Sequence, residues 1–289
     1  MIAPPRRRGP GKALGVLAAV VVVVVAVGLM AAVPNEVTGH AVAVPGGATA
    51  RSREDGGSPV RELATNPLLG EGVVLSPVTC DLPELGQSGA RLEAYYHALT
   101  GCLGQAWRPA LERAGEPVID VKVSVTLPKV SACGSAPSRE EAVAYYCGGD
   151  TTIYAPTEWM MSDAGAKRAR HLATIAHEYG HHVQRESGIL DAAAERMSSS
   201  QPSDPADQAV VRRIELQANC FGALFLAVAA GRGSIGRATA NAAVADYGRA
   251  DDSGDHGTRD HQIAWAKAGY SGAGPVACNT WSAPEDQVS

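Results

Sequence analysis

The sequence predicts an α+β domain: a small antiparallel or mixed sheet packed on a pair of long helices, preceded by an N-terminal membrane-spanning helix. Three observations carry this. An apolar run lies near the start of the chain, β-type alternation follows one amphipathic helix, and two long helical patterns fill the second half. The 289 residues are 45% apolar, enough buried surface to offset the entropy of ordering, so a disordered chain is excluded. No heptad or Gly-X-Y period exists, which excludes a coiled coil or collagen.

Residues 13–33 are uncharged and almost wholly apolar, with valine at every position from 20 to 25. At about 1.5 Å per residue they reach ~30 Å, the thickness of a bilayer core. That length favours a signal anchor over a cleavable signal peptide, for which Ala41-Val42-Ala43 would be the cleavage site. Arg6, Arg7, Arg8 and Lys12 precede the span and no basic residue follows before Arg51, so residues 1–12 are expected in the cytoplasm and the body outside. Cleaved or not, the body is exported. Its 30 acidic side chains outnumber the remaining basic ones, which argues against a nucleic-acid partner. Residues 34–75, rich in Pro, Gly, Ala and charge, read as a flexible linker, 76–282 as the domain and 283–289 as a frayed tail.

Six cysteines, none in a CxxC pair, suit three disulfides in an exported chain. Cys133 and Cys147 flank adjacent β segments and are expected to pair. Sequence proximity then suggests Cys80–Cys102, and elimination leaves Cys220–Cys278.

Within the domain, Leu92, Tyr96, Leu99, Leu103, Trp107 and Leu111 form one apolar helical face, with Pro109 expected to bend or end the helix. Residues 118–127 alternate apolar with polar and read as a half-buried strand. Two β segments, 142–147 and 151–155, surround Gly148, Gly149 and Asp150 and suit an antiparallel hairpin; 151–155 is a candidate edge strand for an extended peptide. A long helix is expected from a Ser162 or Asp163 cap to about Glu186, closed by Gly188. A second runs from about Pro205 to Ala230, and a shorter one covers 263–268.

The first long helix carries Ala176-His177-Glu178-Tyr179-Gly180-His181-His182. His177 and His181, four apart, project from one helical face and can share a metal, while Glu178 can reach a water held there without binding the metal itself. His182, about 100° further round, points elsewhere. A catalytic zinc site wants a third protein ligand and an open position. HExxHxxGxxH fails, because Gln184 and Ser187 occupy the Gly and His positions. Glu215, mid-helix among apolar neighbours, is the candidate third ligand.

HEYGHHVQ followed by ELQANC resembles the neutral zinc metallopeptidases of bacteria, within the broader gluzincin group. The likeness extends to Cys80-Asp81-Leu82-Pro83, Ala106-Trp107-Arg108-Pro109, Tyr146-Cys147-Gly148-Gly149-Asp150 and His256-Gly257-Thr258. The resemblance implies a zincin-like pair of active-site helices and one Zn2+ per chain held by His177, His181 and Glu215, with Glu178 as catalytic base acting on a zinc-activated water. Asn219 stands where the family usually has an acidic residue. One turn beyond Glu215, it can still accept a hydrogen bond from a ligand imidazole, without adding charge.

A second electrophile for the oxyanion is expected besides zinc. His256, in the polar loop Asp252-Ser253-Gly254-Asp255-His256-Gly257, is the candidate; Tyr154 and Tyr179 are poorer ones, expected in strand and core packing. The function expected is a membrane-anchored, extracytoplasmic zinc metallopeptidase acting on peptide or protein substrates. A catalytically weak, zinc-stabilised envelope binding module and a hydrolase of non-peptide amides are the alternatives. Glu178 favours the enzymes, since a structural zinc site needs no base and is closed by four ligands.

Overall fold

The computed structural model describes residues 63–197 and 204–289, so the expected cytoplasmic segment, anchor and most of the linker lie outside the described residues. Among the described residues no helix is long and apolar enough to cross a membrane. The fold is α+β, mostly helical with a small mixed sheet.

Helix α1 spans Gly89–Ala114 and buries the expected stripe from Leu92 to Leu111. Pro109 does not end it. Pro109 sits on the exposed face, while buried Ala106, Trp107, Ala110 and Leu111 hold the helix on both sides. The helix ends instead at Gly115, in the left-handed conformation.

The sheet order is β1 (Lys122–Ser124), β5 (Thr152–Tyr154), β4 (Tyr145–Cys147), with β1–β5 parallel and β4–β5 antiparallel. A separate two-stranded hairpin joins β2 (Val130–Ser131) to β3 (Gly134–Ser135). Two expectations need correcting. The strand expected over 118–127 pairs only through its centre, since Ile119 at its start is 46% exposed and has no strand beside it. Residues 151–155 do not form an edge: β5 is flanked on both sides, so it cannot take an extended peptide by β-addition.

The long helix expected from 162 is two. α2 (Thr157–Asp163) stops at Gly165, whose φ is +55°, and α3 starts afresh at Arg168 and runs to Glu186. Asp163 caps nothing because its carboxylate receives Arg170 Nε at 2.7 Å. Beyond Gly188 come α4 (Ile189–Arg196), α5 (Pro205–Ala229), α6 (Arg237–Asp246) and α7 (Arg259–Ser271), the last longer than the expected 263–268. Asp204 caps α5 by accepting from Ala206 N, with Pro205 at the first helical position.

Helix α5 is the axis of the domain, packed against α3 on one side and α7 on the other. Trp107 of α1 meets Phe221 of α5 edge to face, ring centroids 5.1 Å apart. The α3–α5 crossing is close because two glycines face backbone. A Cβ on Gly180 would lie 2.8 Å from Ala218 O, and one on Gly222 would lie 3.1 Å from Ala176 C.

Both ends of the expected domain are wider than the sequence reading. Leu63, Leu68, Leu69, Val73 and Leu75, placed in the linker, are buried, and Asn66 Nδ2 donates to Ser187 O at 2.9 Å. The tail is not frayed: Val288 is fully buried, Trp265 Nε1 donates to Gln287 O at 2.9 Å, and Arg212 Nε to Val288 O at 3.0 Å. Backbone acceptors hold this polar segment, and composition does not reveal them. Disulfides join Cys80 to Cys102, Cys133 to Cys147, and Cys220 on α5 to Cys278.

The α3–α5 crossing yields a stability prediction. Gly180→Ala is expected to cost about 1–3 kcal/mol through overpacking, read by urea denaturation of the zinc-free protein. Unchanged stability would show that the helices separate freely.

Candidate metal centre

From His171 onward α3 is almost entirely buried, so its histidines are core residues, not an exposed row. His177 and His181 stand one turn apart with ring planes at 89° and Nε2 atoms 3.0 Å apart. Helix α5 delivers Glu215 to them: its Oε2 lies 3.2 Å from His177 Nε2 and 3.4 Å from His181 Nε2. Among the described residues, these three form the group whose ligand atoms all lie within 4.8 Å of one another and could hold a metal ion.

The donor chemistry fits a cation. His177 Nδ1 faces Asn219 Oδ1 at 2.8 Å and His181 Nδ1 faces Gln184 Oε1 at 2.9 Å. Both oxygens are acceptors, so each Nδ1 carries its proton and each neutral ring turns an Nε2 lone pair inward. Two lone pairs and a carboxylate then meet at 3.0–3.4 Å, an arrangement that repels itself unless positive charge joins them. Tetrahedral zinc, with bonds of about 2.0–2.1 Å, sets its ligands about 3.3 Å apart. The residues fit zinc.

Without a metal, protons supply that positive charge. Burial alone would push the Glu215 carboxyl up, but positive charge on His181 and His256 and N–H donation from His177 and His181 outweigh it and hold it well below the usual carboxylate range. Glu178 goes the other way. Fully buried, with no side-chain hydrogen-bond partner for either oxygen, it is pushed up to about 8, chiefly by burial; His177 and the Tyr146 backbone amide pull it down and Glu215 adds to the rise.

The structure brings His256 to the same place. Its loop is closed by the Ser253–Gly257 bridge, and its Nε2 lies 3.4 Å from Glu215 Oε2. Its Nδ1 hydrogen-bonds Asp255 Oδ1 at 3.0 Å, which drives the Asp255 carboxyl far down. Tyr154 and Tyr179 lie elsewhere: Tyr154 stacks on Tyr145 and donates to Asp150, and Tyr179 packs against Gly104 and the His182 ring. A cavity of about 60 Å³ opens beside His177, bounded by Val143, Thr174, Asn219, Tyr247, His256 and Gln262. Sequence reasoning missed Asp255 and Gln184 as imidazole partners. Gln184 was findable, since three residues beyond His181 is the same helical face.

A family model described as "Putative neutral zinc metallopeptidase" matches residues 105–281. The chain belongs to this family. Its relatives include an uncharacterized protein of Mycobacterium tuberculosis, 27% identical over 182 residues, which is 53% of this chain and 59% of that one. The uncharacterized YpfJ of Escherichia coli is 30% identical over 155 residues, 47% of this chain and 53% of its own. The chain thus spans somewhat over half the length of these curated relatives. No solved structure matches it significantly.

Two predictions arise here. Glu215→Ala is expected to lose zinc at ordinary buffer concentrations, measured by metal analysis after gel filtration; one tightly held zinc in that variant would remove Glu215 from the ligand set. The second concerns His182, which is buried against Tyr146 OH (3.1 Å) and Ile119 O (2.9 Å). Burial lowers its pKa from 6.5 to about 4. A base depressed in the folded state is protonated first in the unfolded one. Its contribution is therefore whole above pH 6.5 and lost as pH falls toward 4, by up to ~3 kcal/mol. Urea titrations of zinc-free parent and His182→Gln across that window should show a shallower acid slope in the variant.

Proposed function

We propose that this chain is an exported zinc-dependent peptidase, anchored in the membrane by residues 13–33. The observation that carries the reading is the triad of inward electron-pair donors from His177, His181 and Glu215 beside Glu178, a fully buried carboxyl with no side-chain hydrogen-bond partner. Zinc, when bound there, supplies a Lewis acid that activates water and polarises the scissile carbonyl.

The chain's own residues supply the rest. Glu178 accepts the proton of the attacking water and returns it to the leaving amine. Burial favours its neutral form in the metal-free site, and a dication held by His177, His181 and Glu215 would favour the carboxylate that a base needs. His256, its Nδ1 tied to Asp255, turns Nε2 toward the site, where an N–H can donate to the developing oxyanion.

The envelope binding module would need a closed four-ligand site, with His256 as the fourth ligand. The buried Glu178 carboxyl beside the group, which a closed structural site does not need, favours the enzyme.

The test is Glu178→Gln. Zinc content and thermal stability should barely move, while turnover of a peptide library falls by ~10²–10⁴-fold. His256→Ala is expected to cost ~10²–10³-fold. If the zinc-loaded parent cleaves no peptide and its cellular role survives Glu178→Gln, the peptidase reading is wrong and the binding module replaces it.

A further inference from the structure

Gln184 is fully buried on α3, three residues beyond His181, and the sequence motif assigns it no role. Its amide is held at both ends. Oε1 lies 2.9 Å from His181 Nδ1, and Nε2 donates to Ile214 O at 2.9 Å and to Gln217 Oε1 at 3.0 Å. Which end is oxygen decides whether His181 can serve a metal, because an N–H facing Nδ1 would force the ring proton to Nε2.

Groups of fixed polarity settle the orientation. Ile214 O and Cys278 O are carbonyls and can only accept; Trp281 Nε1–H can only donate. Gln217 Nε2 donates to Cys278 O at 3.0 Å and its Oε1 receives Trp281 Nε1–H at 3.3 Å, so its oxygen faces Gln184. Gln184 must then point its NH2 toward Gln217 and Ile214, and its oxygen toward His181. A flipped Gln184 would set oxygen against two oxygens in a site without water access, a cost of about 1–3 kcal/mol for each unsatisfied group.

We propose that Gln184 is a positioning residue for the metal centre: its amide oxygen, oriented by the Trp281–Gln217 relay, holds the His181 proton on Nδ1 and aims Nε2 at the metal. This rests on the reading of His177, His181 and Glu215 as zinc ligands. A neutral amide does the work without burying another charge near Glu178 and Glu215. Through Cys278 the relay also reaches the disulfide to Cys220, on the helix that carries Glu215.

The test is zinc affinity by chelator competition in the full-length protein, with thermal melting of the zinc-free form as the structural control. Gln184→Met keeps the length and lacks the acceptor; it is expected to weaken zinc about 10–100-fold, as loss of a ligand's outer partner does, and to alter the visible spectrum of the cobalt-substituted form. Gln184→Glu keeps an acceptor oxygen toward His181 but sets its other oxygen against Ile214 O and Gln217 Oε1, so its zinc-free form is expected to melt lower than the parent while zinc binds tighter than in Gln184→Met. A purely structural amide would give the opposite order, since Gln184→Glu breaks the donor side. Should Gln184→Met fail to fold, the zinc-loaded parent carries the test: its His181 Nδ1–H should give a downfield, slowly exchanging NMR signal, and its absence overturns the proposal. Parent-like affinity in Gln184→Met overturns it too, and leaves the peptidase reading standing. A parent that binds no zinc overturns the metal reading itself.

Discussion

The centre depends on how closely α3 and α5 can approach. Histidines one turn apart on α3 offer two donors, and the third comes from another helix across the gap. Gly180, inside the motif, and Gly222, just beyond Asn219, remove the side chains that would hold the helices apart. Gly180 lies against the α5 backbone, and Gly222 against the α3 backbone and the Tyr247 hydroxyl, so main chain largely sets how close the helices come. Glu215 and Asn219, one turn apart on α5, then meet His177 from two directions: the carboxylate at Nε2 and the amide at Nδ1.

Burial gives this contact its chemistry. Glu178 and Glu215 are neighbouring carboxyls in the same dry interior, yet they are driven opposite ways. Glu215 is surrounded by three imidazoles that favour its charge, whereas Glu178 is dominated by desolvation and by repulsion from Glu215. One carboxyl is thereby held ionised and the other drawn toward its neutral form, a difference set by environment and not by residue type.

Local patterns were the legible part of the sequence. Helix α1 was visible in its apolar stripe, α5 in its proline start and glycine stop, and the β4–β5 hairpin in its turn residues. The paired cysteines in the structure are likewise those that spacing and elimination suggested. What escaped depended on contacts between distant segments. Asp163 looked like a cap because an acidic residue before a helix usually is one, but Arg170 takes its carboxylate. Leu63 and Val288 looked like linker and tail because their neighbours are polar and short, and only the folded surface shows where they insert. Strand order is non-local in the same sense: β5 was taken for an edge because its parallel partner β1 lies across the β2–β3 hairpin and β4.

These non-local segments also support the site. The loop bearing His256 is fastened from outside: Thr258 N donates to Ser289 O at 3.2 Å, and Arg212 of α5 reaches Gly254 O at 2.7 Å and Val288 O at 3.0 Å. Arg212 lies three residues before Glu215, so one helix both supplies the carboxylate and grips the loop that faces it. Cys278, Trp281 and the 285–289 segment then close over the far side of α5. A helix held on that many sides loses little further freedom when its carboxylate is called on to hold a cation, and pre-organisation of this kind is what a site on rigid elements requires. The residues beyond the motif pair are therefore the frame that keeps His177, His181, Glu215 and His256 in register.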